Sequence, residues 1–314
     1  ACDLYKRYAS RKDPYRIDIE YQAALVYYDH AQYGEAISRF RLIAEKRPGH
    51  RLAPFAADFL LDSFILQKEY KKLNASVDRL LGLYKEAKAP ALYKRLVALK
   101  QKSEFNNCRA IEREDRTRAA ECFVRYADAF SSAELADDAL FNAAFNFKKD
   151  RETTRSSQTL MRLVAEYEES ALRNKSMFQL AVNFKTLAIF SLSSKYFEDY
   201  AKAFPDDEKS DEALRTAAVF QEGLGKYDRA ISIYLDLVKR LEKKRKKDAK
   251  KKAAERFFEI GRIYEDQKSW IKMIKHYTQF LKKYQRSADV EFVIRAYAKI
   301  GRGHWAQADA IFAD

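Results

Sequence analysis

One phrase is written twice in this chain and restricts its fold more than any other feature: YGEAISRF from Tyr33 and YDRAISIY from Tyr227. If each opens the second helix of a helical hairpin, equivalent openings fall at Tyr70, Arg116, Thr153, Phe190, Trp270 and Trp305. The successive intervals are 37, 46, 37, 37, 37, 43 and 35 residues. A spacing that recurs in this range is the mark of an α-helical repeat, in which single hairpins cannot bury their apolar faces and must stack.

Other positions keep the same beat. Three residues after each opening stand Ala36, Leu73, Ala119, Ser156, Ser193, Ala230, Met273 and Ala308, mostly small, as close helix approach requires. Seven after it stand Phe40, Val77, Phe123, Leu160, Phe197, Tyr234, Tyr277 and Phe312, all large. Fourteen after it another large residue usually follows, as at Tyr84, Phe130, Tyr167, Phe204, Leu241 and Tyr284. Turns such as FPDDEKS from Phe204 then end one hairpin and cap the next.

Composition agrees with helices throughout. Eight glycines and five prolines are few for 314 residues, and 47% hydrophobic content is enough for a core and too much for disorder. No apolar run approaches the roughly eighteen residues that span a bilayer. The first residues, ACDLYKRY, have neither an initiator Met nor a signal-peptide apolar region, so a soluble segment of a longer precursor is expected.

The pattern resembles the tetratricopeptide repeat (TPR) family. Ala23, Ala24, Tyr27, Tyr33, Ala36, Ile37, Phe40 and Pro48 follow the family's order, as do Leu214, Ala217, Ala218, Gly225, Tyr227, Ala230, Ile231, Tyr234 and Leu237. Gly261, Tyr264, Trp270 and Tyr277 give a third, partial match. The resemblance implies an all-α, right-handed α-solenoid of about seven hairpins and a partial eighth. Residues 1–16 form a lead, and the repeats cover about 17–53, 54–89, 90–135, 136–172, 173–209, 210–252, 253–287 and 288–314. The third repeat departs most, and its extra residues are expected to bulge as a loop around Asn106–Asp115. The last helix is expected to start at His304.

Repeats longer than the usual TPR length, with turns like FSSAELADDALFNAAF from Phe130, look like TPR proteins of bacterial envelopes. Outer-membrane assembly lipoproteins, periplasmic coordinators and gliding-motility components are of that style. The resemblance therefore implies an adaptor for other proteins or peptide segments on the periplasmic side, with Ala-Cys at Cys2 as a possible lipid-anchoring stub; a cytoplasmic TPR protein could share the turns. In this family ligand peptides lie along the first helices. The register then assigns Tyr21, Leu25, Phe141, Phe145, Lys148, Phe178, Val182 and Lys185 to that groove, where an apolar segment with a nearby carboxylate would fit. The lysine–asparagine clamp that holds chaperone tails does not transfer, because Tyr21 and Leu25 stand at its positions.

Nothing points to catalysis, a cofactor or a metal. His30, His50, His276 and His304 have no metal-ligand spacing, and the G-x-G pairs at Gly223 and Gly301 fall between helices, where they read as turn glycines. Cys2, Cys108 and Cys122 make no C-x-x-C pair; they read as isolated thiols, or Cys108 and Cys122 bridge if the compartment is oxidising.

Charge supplies a second candidate surface. Sixty Lys and Arg against 46 Asp and Glu give +14, and KKRKKDAKKK from Lys243 carries half of the excess. Lys243, Lys244, Arg245, Lys246, Lys247, Lys250, Lys251 and Lys252 read either as a solvated extension of two helices or as a dock for an acidic protein or anionic lipid. Nucleic acid is disfavoured, since no aromatic residue interleaves the lysines to stack on bases. Three functions remain open: an adaptor in an envelope or motility assembly, a targeting module docking on an anionic surface, and the repeat region of a larger enzyme.

Overall fold

The computed structural model describes residues 15–86, 89–244 and 246–312, without the side chains of 310–312. The expectations placed on Cys2, on most of the N-terminal lead, on Arg245 and on the side chain of Phe312 lie outside these residues. Among the described residues there are fifteen α-helices and no strand. The chain divides into two compact units, 1–136 and 137–314.

In the first unit α1 (Arg16–Asp29) pairs with α2 (Tyr33–Lys46), α3 (Ala53–Leu66) with α4 (Tyr70–Leu83), and α5 (Pro90–Ile111) with α6 (Arg116–Ala129). The second unit begins with α7 (Ala136–Lys149) and α8 (Thr153–Glu166), followed by α9 (Arg173–Thr186) with α10 (Phe190–Ala203) and α11 (Ser210–Gly223) with α12 (Tyr227–Lys243). It closes with α13 (Lys247–Asp266), α14 (Trp270–Tyr284) and α15 (Val290–Phe312). Tyr33, Tyr70, Arg116, Thr153, Phe190, Tyr227 and Trp270 are each the first residue of a second helix, as the register requires. Both units are helical-repeat arrays in which successive helical hairpins stack.

One turn geometry recurs. Two residues before an opening the backbone enters the left-handed region, at Ala31, Lys68, Arg151, Ala188, Gly225 and Lys268, with φ between 54° and 71°. The next residue then donates its N–H to a carbonyl five back: Gln32 to Tyr27, Ile189 to Phe184, Lys226 to Gln221. This satisfies the orphan carbonyls of the first helix and reverses the chain. Only Gly225 is free of the side-chain penalty that this conformation carries. Between hairpins, Ser170 Oγ accepts from the Leu172 N–H at 3.0 Å and Asp207 Oδ1 from the Lys209 N–H at 2.9 Å.

The ladder of compact and bulky residues forms the core. Ala36, Ala119, Ser156, Ser193, Ala230 and Met273 are buried, as are Phe40, Val77, Phe123, Leu160, Phe197, Tyr234 and Tyr277. Nine residues before the opening a small side chain faces this row: Ala24, Ala144, Ala181 and Ala218 are buried, and at Gly261 a Cβ would lie 2.5 Å from Tyr277 Cζ. In the second unit a polar pair also crosses between neighbouring hairpins. Asn183 donates to Ser156 at 3.0 Å and Gln221 to Ser194 at 2.9 Å, all four side chains buried.

Three local expectations are corrected. No loop bulges at Asn106–Asp115: α5 runs to Ile111 for 22 residues, because the stretch has neither Gly nor Pro to stop it. Its final turns are held on α6 by Phe105 against Phe123 and Tyr126, and by a disulfide between Cys108 and Cys122. The bridge is thus present, against the isolated-thiol reading. At the other end, no helix begins at His304, and Trp305 lies inside α15, which is continuous for 23 residues. Gly303, where the turn was expected, instead lets α15 approach α14: a Cβ there would meet Met273 Cε at 2.6 Å.

Candidate protein-interaction site

Repeat register places the residue eight before each opening on the open face of a first helix. In the second unit this position is Phe145 on α7, Val182 on α9 and Val219 on α11. Phe145 is 48% exposed, Val219 40%, and Val182 is half-buried. Three residues further along the same helices stand Lys148, half-buried, and Lys185, exposed. The row is apolar along one line and cationic along the next. It ends at α13, where Arg262 replaces the apolar residue and is held by Glu222 at 2.7 Å, Glu259 at 3.0 Å and Asp266 at 3.3 Å.

The electrostatics of the row follow from burial. Lys148 has its pKa lowered, first by desolvation and then by repulsion from Lys149. A carboxylate arriving beside it would oppose both effects by favouring the charged ammonium. Lys149 itself lies over the Phe145 ring at 5.2 Å.

Other candidates fare differently. Phe141 packs with Ala144, Leu160, Leu180 and Phe184, and Phe178 stands edge-on to Phe197 and Tyr200, so both rings are largely core. In the first unit Tyr21 is buried edge-on to Phe40 and Phe59, and Leu25 joins the same cluster. Tyr21 is therefore a core residue, correcting its assignment to an open groove. The matching face of α3 carries Asp58 and Asp62, bridged by Arg95 at 2.7 and 2.5 Å, which leaves that row polar. Val219 escaped the sequence reading, although stepping 37 residues from Val182 reaches it.

The basic run lies on the last turn of α12, the connecting turn and the start of α13, so that both helices are longer than the usual 14 residues. Lys244 is paired with Asp211, and Lys251 with Asp289 at 2.6 Å. Lys243, Lys246, Lys247, Lys250 and Lys252 are ion-paired with no carboxylate among the described residues, and all but Lys250 and Lys252 crowd the ends of the two helices. Lys246 and Lys247 stand at the N-terminus of α13, where the helix dipole disfavours a cation.

Among the described residues no group of His, Cys, Asp and Glu is placed to hold a metal ion, and no helix is long and apolar enough to cross a membrane. His276 is buried, stacks on Phe257 at 4.2 Å and donates from Nε2 to the Phe257 carbonyl at 2.7 Å.

No protein-family model matches the chain, and no curated protein does. Solved structures resemble it at low similarity. BtubC (BKLC) from P. vanneervenii is 12% identical, with a TM-score of 0.37 over 68% of this chain and 83% of that one. A structure of Naa15/Naa10 bound to HypK-THB is 12% identical, with a TM-score of 0.38 over 92% and 39%. A signal transduction ATPase with numerous domains and a tetratricopeptide repeat sensor, from Pyrococcus horikoshii, is 12% identical, with a TM-score of 0.37 over 95% and 43%. The chain spans less than half the length of the last two.

Proposed function

We propose that this chain is a non-enzymatic scaffold that holds an apolar, acid-flanked segment of a partner protein against Phe145, Val182 and Val219. The observation that carries the reading is this row itself: apolar side chains left open at one repeat position on three successive first helices, beside Lys148 and Lys185. Each hairpin contributes one apolar residue, so an extended or helical segment with regularly spaced anchors is the ligand that fits. The likeness of its turns to those of envelope TPR proteins supports a bacterial envelope or motility assembly on the periplasmic side as its setting. The Cys108–Cys122 bond supports an oxidising compartment of that kind.

A second reading is favoured by the lysines at the junction of α12 and α13. Five of them face solvent without an acidic partner among the described residues, two against a helix dipole, which is the electrostatic footprint of a surface that docks on anions.

Panning residues 1–314 against a displayed random-peptide library tests the first reading. Enriched peptides should carry aliphatic or aromatic anchors next to Asp or Glu. Phe145→Asp and Val219→Asp should each weaken binding by about tenfold or more, and Lys148→Ala with Lys185→Ala should remove the salt dependence. Peptides that bind these variants unchanged would refute the site. Retention on anionic vesicles, lost when the five lysines become Gln, would move the function to the second reading.

A further inference from the structure

A cleft of about 540 Å³ opens beside the lysines at the junction of α12 and α13, lined by Phe257 of α13 with Gln279, Lys282 and Lys283 of α14. In the two hairpins before, the counterparts of Phe257 are Leu214 and Met177, 2% and 5% exposed within the core. Phe257 is instead half-buried and floors the cleft.

The rim is cationic, and part of its charge is unspent. Lys283 reaches Glu242, in the last turn of α12, at 2.8 Å, and Tyr284 Oη donates to the same carboxylate at 2.5 Å, which holds the end of α12 beside the cleft. Lys239 stands three residues before Glu242, on its face of α12, and Lys250 stands seven before Phe257, on its face of α13. Lys239, Lys250 and Lys282 are exposed and ion-paired with no carboxylate among the described residues.

We propose that this cleft takes one apolar side chain from an acidic segment of a partner protein, whose carboxylates meet Lys239, Lys250 and Lys282. The inference rests on the anion-docking reading of these lysines and narrows it from any anion to a peptide. Three observations select that occupant. Unpaired cations around the cleft call for carboxylates. The apolar floor is recessed, and among the described residues between 236 and 270 no large apolar side chain is exposed. This edge therefore has nothing to insert into a bilayer, and a lipid surface has no side chain to send into the cleft. A nucleic-acid base fares no better. Phe257 carries His276 stacked on it at 4.2 Å and Lys283 Nζ over its ring at 5.9 Å, so a base finds no free ring face.

Fluorescence anisotropy of residues 1–314 with two labelled peptides tests it: a short Asp/Glu peptide with one central Leu, and the same peptide with Ser in its place. The leucine peptide should bind at least about tenfold more tightly, as burial of one aliphatic side chain allows, and both should weaken as salt rises. Gln279→Trp, which fills the cleft from an exposed position, should abolish the preference for leucine. Lys282→Glu should weaken both peptides by about fivefold or more, and Lys226→Glu, at the far end of α12, should change neither. Equal affinity for the two peptides overturns the cleft and leaves the anion-docking reading standing. So does a preference for leucine that survives Gln279→Trp with helicity unchanged. Phosphatidylglycerol vesicles or a single-stranded oligonucleotide bound where neither peptide is would give the lysines to lipid or nucleic acid and overturn the proposal. Binding to none of these overturns both.

Discussion

Gly261→Ala is expected to destabilise the second unit, although alanine is the better helix former. The new methyl carbon would lie 2.5, 2.6 and 2.9 Å from Cζ, Cε1 and Cε2 of Tyr277. Carbon atoms rest at about 3.5–4.0 Å, so the ring must retreat by roughly 1 Å. Tyr277 is fully buried and tilted against Phe258 at 4.9 Å, leaving little room for that movement. Overpacking of this kind costs about 1–3 kcal/mol, and the upper end applies where the obstacle is a wedged aromatic ring. Helix propensity returns about 1 kcal/mol. The net loss is about 2 kcal/mol, or roughly 4–8 °C in the thermal midpoint of a unit this size. Gly223→Ala is the reference, since a Cβ there meets nothing within 4 Å; it should be neutral or stabilising by up to about 1 kcal/mol. Because repeat arrays depart from two-state unfolding, thermal melts should be paired with hydrogen exchange of α13 and α14 amides. Adding Tyr277→Leu should make the alanine nearly harmless, a coupling of about 1–2 kcal/mol. Equal stabilisation by Gly261→Ala and Gly223→Ala would refute the close-approach argument.

Two more outcomes follow from chemistry inside the units. Reducing the Cys108–Cys122 bond, which closes a sequence separation of 14 residues, should cost about 3 kcal/mol and speed exchange across α5 and α6; alkylation of the denatured, unreduced protein should label Cys2 alone, and three labels per chain in material quenched from cells would contradict an oxidising compartment. Burial lowers the pKa of His276, so below about pH 6.5 the unfolded chain takes up a proton that the folded chain resists, and stability falls on acidification by up to about 1.4 kcal/mol per pH unit. His276→Phe should flatten that part of the profile in denaturant titrations between about pH 7.5 and 5, whereas an unchanged slope would show that other groups carry it.

The periodic part of this architecture was legible in sequence because equal spacing and alternating side-chain volume are properties of the string itself. Tyr33, Thr153, Phe190 and Tyr227 marked helix starts to the residue. What failed was whatever depends on a competition between alternatives. The nine extra residues near Asn106 could loop out or prolong a helix, and ring packing at Phe105 with the bridge at Cys108 decided for the helix. At Gly303 a turn competed with close helix approach, and Met273 and Ile274 decided. The groove suffered from the same ambiguity: Phe141, Phe145 and Phe178 are alike in sequence, yet only Phe145 stays open, while Phe141 and Phe178 pack against core residues of the neighbouring helices. Val219 was hidden for a simpler reason, since a lone valine carries no signal until its counterparts at Phe145 and Val182 are seen side by side.

The buried amides of Asn183 and Gln221 bear on how such a protein can evolve. Three consecutive equal intervals invite shuffling, as if the modules were interchangeable bricks, but each amide relies on a hydroxyl supplied by the module before it. Duplicating the module of α11 and α12 would set a second copy of Gln221 against Ala230 and Ile231 and strand its amide in an apolar interior, a loss of about 1–3 kcal/mol, whereas duplicating the module of α9 and α10 would offer Asn183 the hydroxyl of Ser193. Uniform length conceals a lock-and-key order, and recombination among these modules should be tolerated only where a serine three or four residues past the preceding opening comes to face each amide.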